Sequence, residues 1–137
     1  MISPQLLDMQ MIGNHLSVYV RIWNKEDGVY NMGTLTFDTG ASVTTISKEI
    51  LHDIGYDVVS GKTHKITTAS GVEFVKEVIV DKIRLGEFEL ENVKVYAHTF
   101  PDEGYTAGVI GLDILSQFDI NLLFSKCLIE LTRICTS

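Results

Sequence analysis

Apolar and polar residues alternate along most of this chain, which is the pattern of β-strands that bury one face. The clearest case is residues 16–23, where leucine, valine and isoleucine alternate with polar or aromatic side chains. A polar turn at residues 24–31 and an alternating stretch at residues 34–37 complete a predicted hairpin. Further strands are predicted at residues 63–68, 72–85, 88–95, 120–124 and 127–131. This pattern predicts an all-β fold.

Two short stretches change to a helical period. In residues 47–54 the apolar side chains share one helical face, Ser47 is placed to cap the first turn, and Gly55 is placed to end the helix. In residues 112–118 leucine and phenylalanine recur at every third position. We therefore predict one or two short helices within the β fold.

Residues 1–14 give no clean period, although they contain several apolar side chains. The pattern leaves three alternatives open for them: an interface strand, a helix or a flexible segment. No linker, low-complexity tract or change of composition divides the rest of the chain. We therefore predict a single domain over residues 1–137.

Composition narrows the classes of function. A chain of 137 residues with 45% hydrophobic side chains has enough apolar material for one core. Its net charge of −7 disfavours nucleic acid and anionic membranes as binding partners, because both need a basic surface on the protein. No apolar run approaches the roughly 20 residues of a membrane-spanning helix, and the N-terminus lacks a secretory signal pattern. We expect a soluble, cytoplasmic protein in which Cys127 and Cys135 are partly buried thiols.

One segment carries candidate chemistry: Phe-Asp-Thr-Gly-Ala-Ser at residues 37–42, at the end of an apolar strand. The carboxylate of Asp38 is costly to bury there unless it is paired, hydrogen-bonded or protonated. Gly40 permits a tight turn, and the hydroxyl of Thr39 can donate or accept a hydrogen bond. Aspartate and glycine are also ordinary turn residues, so a plain turn explains most such tripeptides.

Three landmarks in order resemble the retropepsin-like aspartic proteases of cells and bacteria. Residues 37–42 resemble the active-site motif of that family, and Val-Ile-Gly-Leu-Asp-Ile-Leu at residues 109–115 resembles its second signature. Ala69, Ser70 and Gly71 lie between them, where the family places the tip of its flap, a hairpin that covers the substrate. The resemblance spans about residues 16–131 and implies a closed, retropepsin-like barrel.

The resemblance also implies an activity, that of an aspartic endopeptidase with Asp38 as catalytic residue. Thr39, Gly40 and Ala41 would shape the active-site turn, with Thr39 also forming a contact across the axis of a dimer. Because the chain has a single Asp-Thr-Gly, a second copy would supply the other carboxylate, so we expect a homodimer that acts on polypeptides. Asp113 opens a predicted helix, where a carboxylate is favoured, and we expect a structural role for it.

No metal or cofactor is expected, because the four histidines are scattered without ligand spacing and are interpreted as surface or hydrogen-bonded residues. Phe100 and Tyr105 either line a substrate pocket or anchor the loop before the second landmark. Two other functions stay open. A retropepsin-like fold that no longer cleaves would serve as a peptide-binding or dimerisation module. A plain β interaction domain with a fortuitous Asp-Thr-Gly would also fit the strand pattern.

Overall fold

The computed structural model describes residues 3–69, 71–100 and 106–134. The strands in these ranges are β1 (Gln5–Ile12), β2 (His15–Asn24), β3 (Val29–Phe37), β4 (Thr45–Ser47), β5 (Thr63–Thr68), β6 (Gly71–Leu85), β7 (Phe88–His98), β8 (Gly108–Ile110), β9 (Phe118–Leu123) and β10 (Leu128–Arg133). The helices are α1 (Lys48–Asp53) and α2 (Leu112–Leu115). The prediction of an all-β fold with one or two short helices is confirmed.

Strand pairing closes part of the sheet on itself. The strands are ordered β5-β6-β7-β4-β8-β3-β2-β1-β10-β9, and an additional pairing joins β6 to β2. This closure is made by two antiparallel pairs, Arg21 with Arg84 and Ile22 with Ile83. Strands β6, β7, β4, β8, β3 and β2 therefore form a ring. The hairpin of β5 and β6 extends from the ring on one side, and β1, β10 and β9 extend the sheet on the other.

The core fills the inside of this ring. Because successive side chains of a strand point to opposite faces, the apolar positions of each strand point inward together. The most deeply buried side chains from the ring strands are Val20, Leu35, Ile46, Val80, Ile83, Leu85, Val95 and Ile110. Helix α1 adds Leu51, which is also fully buried, to the core. The helix begins where predicted, because the side chain of Ser47 accepts a hydrogen bond from the N–H of Ile50 at 3.3 Å. Burial of these apolar faces is the main stabilisation of the fold.

Residues 5–12 of the N-terminal segment form strand β1. It pairs antiparallel with β10 through its first half and with β2 through its second half. Leu7 and Met9 are buried, whereas Leu6 and Met11 are 57% and 58% exposed. Apolar side chains on both faces hide the two-residue period, which is why the pattern alone did not identify a strand.

Two details of the sequence analysis are wrong. The second helix ends at Leu115 instead of residue 118, because Phe118 starts β9 and packs against Phe88 with ring centroids 5.1 Å apart. Cys127 is exposed instead of partly buried, in a left-handed conformation (φ 53°) after the 3-10 turn Phe124–Lys126. Cys135 lies outside the described residues.

The two landmark segments lie side by side. Strands β3 and β8 pair in parallel over residues 35–37 and 108–110, so the turn that follows β3 meets the start of α2 at one end of the ring. The backbones approach so closely that a Cβ on Gly111 would lie 2.5 Å from the carbonyl oxygen of Val43 and 2.8 Å from that of Ala41. Only glycine fits at this position without moving the backbone.

The substitution Gly111→Ala tests this close approach. We expect it to lower the free energy of unfolding by about 3 kcal/mol, because the added methyl group must displace backbone atoms. Gly33→Ala on β3 is the matched control, since its Cβ would meet only the Ala107 and Ile22 side chains at 3.6 Å, an ordinary contact. The control should change the stability by less than about 1 kcal/mol in the same urea titration. Equal losses in the two variants would contradict the close approach.

Candidate active site

Asp38 follows β3 directly and starts a tight turn. Its N–H donates to the carbonyl of Ile110 at 3.1 Å, and its own carbonyl accepts the N–H of Ala41 at 3.2 Å. The N–H of Gly40 donates to Asp38 Oδ1 at 2.8 Å. These bonds fix both the backbone of the turn and the direction of the carboxylate.

The tip of this turn is open to solvent. Asp38 and Ala41 are half-buried, and Thr39 and Gly40 are exposed. A Cβ on Gly40 would lie 3.1 Å from Asp38 Oδ1, so a side chain there would crowd the carboxylate. The turn thus presents a carboxylate, a hydroxyl and bare backbone on one surface.

A hydrogen-bond clamp joins the segment after this turn to α2. The hydroxyl of Thr44, which is fully buried, donates to Asp113 Oδ1 at 2.6 Å, and its N–H donates to Asp113 Oδ2 at 3.0 Å. The same hydroxyl accepts the N–H of Gly111 at 3.0 Å, and the N–H of Leu112 donates to the Ala41 carbonyl at 2.8 Å. Asp113 therefore holds the loop in place, which agrees with the structural role expected for it.

A groove of about 1010 Å³ opens beside the turn. Its walls come from the turn itself, the β5–β6 hairpin and the end of β7. Its lining residues include Asp38, Ile66, Ala69, Glu73, His98 and Phe100. A second cavity, of about 650 Å³, is lined by Asp113 but does not include Asp38. Of these two cavities, only the first groove gives a bound molecule access to the carboxylate of Asp38.

Ala69 and Gly71, two of the three residues expected in the flap, lie in the β5–β6 hairpin. Its strands pair from Thr63 with Lys76 to Thr68 with Gly71, which has a left-handed φ of 120°. Ala69 at the tip lines the groove that contains Asp38. Ser70 lies outside the described residues. The hairpin therefore borders the groove, and its action as a flap stays a prediction.

Comparison with known proteins assigns the family. A family model described as aspartyl protease matches residues 21–114, which is more than half of the chain. The chain belongs to the aspartyl protease family.

A solved structure also matches the fold of this aspartyl protease family member. The chain is similar to the crystal structure of a retropepsin-like aspartic protease from Rickettsia conorii, with a TM-score of 0.67 and 19% sequence identity. The match covers 96% of this chain and 91% of the other. No curated protein matches the chain. The likeness shows that the fold is retropepsin-like, and membership of the family removes the interpretation as an unrelated β domain.

Sequence analysis missed two histidine–carboxylate pairs in this family member. His64 Nε2 lies 2.8 Å from Glu77 Oε2, and His98 Nε2 lies 2.8 Å from Glu73 Oε2. The partners stand on different strands, so their proximity depends on the register of β5, β6 and β7. The signal available in the sequence was alternation, which places His64 and Ile66 on the same face of β5.

Phe100 lines the groove and packs edge-on against His98, with ring centroids 5.0 Å apart. Its interpretation as a pocket residue is thereby favoured, whereas Tyr105 lies outside the described residues. Within the described ranges, no cluster of three or more histidine, cysteine, aspartate or glutamate side chains could hold a metal ion. No helix in the described part of the chain is long and apolar enough to cross a membrane.

The substitution Thr44→Val tests the clamp. Valine has a similar shape but no hydroxyl, so the N–H of Gly111 and one oxygen of Asp113 lose that partner. We expect the free energy of unfolding to fall by about 1–3 kcal/mol. Thr34→Val on β3 is the control, because the half-buried Thr34 hydroxyl makes no hydrogen bond with the described residues. If urea unfolding gave the same loss for both variants, the hydroxyl of Thr44 would have no special role.

Proposed function

We propose that the protein is an aspartic endopeptidase that acts as a homodimer. Two Asp38 carboxylates, one from each subunit, would activate the water molecule that hydrolyses the peptide bond. The observation that carries the proposal is the position of the motif carboxylate, held by backbone hydrogen bonds at an exposed turn and beside a groove of about 1010 Å³. A groove bordered by a hairpin suits an extended peptide, which binds through its backbone. Membership of the aspartyl protease family supports hydrolysis of peptide bonds.

The need for a second carboxylate supports the homodimer. Asp113 is bound to Thr44 and is turned away from the groove, so it does not serve as the partner of Asp38. A two-fold axis beside the turn would bring Asp38 of the partner subunit opposite Asp38. Thr39 is exposed at the tip, and Leu112 next to the turn is 43% exposed, so both offer surface for this contact.

The mechanism follows from the chemistry of paired carboxyl groups. Two carboxylates at close range do not both ionise readily, so the pair shares one proton. The ionised group takes a proton from a water molecule, whose oxygen attacks the carbonyl carbon of the peptide bond. The protonated group donates a hydrogen bond to the carbonyl oxygen and stabilises the tetrahedral intermediate. Transfer of a proton to the nitrogen then breaks the carbon–nitrogen bond and releases two peptides.

Replacement of the catalytic carboxylate tests the reaction. Asp38→Asn keeps the shape of the side chain but removes its acid–base function, so we expect kcat/KM to fall on the order of 10³-fold or more while the fold is kept. Digestion of a peptide library at several pH values supplies a substrate for the measurement. Asp119→Asn, on an exposed position of β9, is the matched control and should retain the activity.

Mixing the two kinds of subunit tests whether the site is shared. When wild-type and Asp38→Asn chains are refolded together at constant total protein, hybrid dimers lack one carboxylate. The activity should therefore fall with the square of the wild-type fraction. A linear fall would contradict a dyad formed across the dimer. If the wild type binds peptides as a dimer but cleaves none at any pH, the protein is a peptide-binding module instead.

A further inference from the structure

Glu73 places a second carboxylate in the groove, and part of its hydrogen-bonding capacity is unused. Its Oε2 is shielded from solvent and lies 2.8 Å from His98 Nε2, which is an ion-pair distance. The other oxygen, Oε1, makes no hydrogen bond with the described residues. An ionised carboxylate offers about four acceptor positions on its two oxygens, and His98 takes up only one of them. The carboxylate therefore keeps acceptor positions on Oε1 for another donor.

The position of Glu73 makes it accessible to a bound peptide. It pairs with Ile66 across the β5–β6 hairpin, and both side chains line the groove that contains Asp38. The next residue, Phe74, points to the opposite face and is 72% exposed. The Glu73 side chain is 35% exposed although Oε2 is shielded, so the groove reaches the carboxylate at Oε1. A peptide that lies along the groove from Asp38 therefore passes this group.

The surroundings of Glu73 fit a side chain with an apolar stem and a cationic end. Ile66 lies opposite on β5, and Phe100 packs against the ring of His98 on the other side. Lysine and arginine combine an aliphatic stem with a charged donor group. The other histidine that lines the groove, His64, is hydrogen-bonded to Glu77 at 2.8 Å, so it is not a partner of Glu73.

We propose that Glu73 makes the groove selective for peptides with a lysine or arginine side chain at one position. This inference rests on the proposed function of the same groove. A basic side chain gives Oε1 of Glu73 a charged donor, whereas an aliphatic one covers this oxygen without giving it a partner and an acidic one repels it. The net charge of −7 also favours the approach of a cationic peptide. A hydrogen bond to a charged group supports a preference of about 10- to 100-fold.

Matched peptides test the selectivity. A positional library cleaved by the wild-type dimer identifies the preferred position, and three peptides then carry lysine, norleucine or glutamate there. Norleucine has a similar stem to lysine but no charge. At one pH and ionic strength we expect kcat/KM for the lysine peptide to exceed that for norleucine by about 10- to 100-fold. Glu73→Gln should remove this preference, and Glu73→Lys should reverse it in favour of glutamate. Glu87→Gln, in the exposed turn between β6 and β7, is the control and should keep it.

Binding separates failure of this inference from failure of the proposed function. Fluorescence anisotropy of the same peptides is measured on the Asp38→Asn dimer, with and without Glu73→Gln. Cleavage without a basic preference, or a preference that survives Glu73→Gln, overturns the selectivity and leaves the endopeptidase. Absence of cleavage by the wild type together with lysine-selective binding that Glu73→Gln removes overturns the endopeptidase and supports the selectivity. Absence of both cleavage and selective binding overturns both.

Discussion

The parallel contact between β3 and β8 is the constraint on which the candidate site depends. Strand β8 lies between β3 and β4, and it approaches β4 so closely that a side chain would not fit, since a Cβ on Gly108 would lie 2.1 Å from the Thr45 carbonyl oxygen. On the other side of β8, the contact with β3 continues past the strands, where the N–H of Asp38 donates to the Ile110 carbonyl at 3.1 Å. The buried hydroxyl of Thr44 then ties the same loop to α2. The carboxylate of Asp38, although it stands on an exposed turn, is thus held in position by hydrogen bonds between the buried backbone segments below it.

The long strand β6 belongs both to the ring and to the hairpin that borders the groove. Its C-terminal half belongs to the ring, where Val80 and Ile83 are buried in the core. Its N-terminal half pairs with β5 and carries Glu73 into the groove. Because one strand serves both parts, the core sets the position of the hairpin relative to Asp38. The groove therefore has one wall, formed by the hairpin, in which fewer side chains are buried than in the ring.

Most strands and the turn at Asp38 could be predicted from the sequence because their signals are local. Alternation along β2 and the cap at Ser47 depend on neighbouring residues, and the turn at Asp38 is encoded in a short motif. The remaining features depend on contacts between distant segments. Strand β1 carries apolar residues on both faces, and Phe118 leaves the helical period to pack on Phe88.

The polar residues of the groove could not be predicted from local sequence either, because their contacts join distant segments. The pairing of Glu73 with His98 requires the register of the hairpin and the position of the end of β7 to be known together. Neither residue stands in a motif, and alternation alone does not fix which strands are neighbours. The turn at Asp38 is therefore encoded locally, whereas the walls of the groove depend on the assembled sheet.

A crystal structure of the protein with a transition-state-mimicking peptide tests the shared active site most directly. We expect two copies related by a two-fold axis, with the Asp38 carboxylate and that of the partner's Asp38 about 3 Å apart on either side of the hydroxyl group of the inhibitor. Two copies whose Asp38 carboxylates lie far apart while the peptide is bound would contradict the dyad.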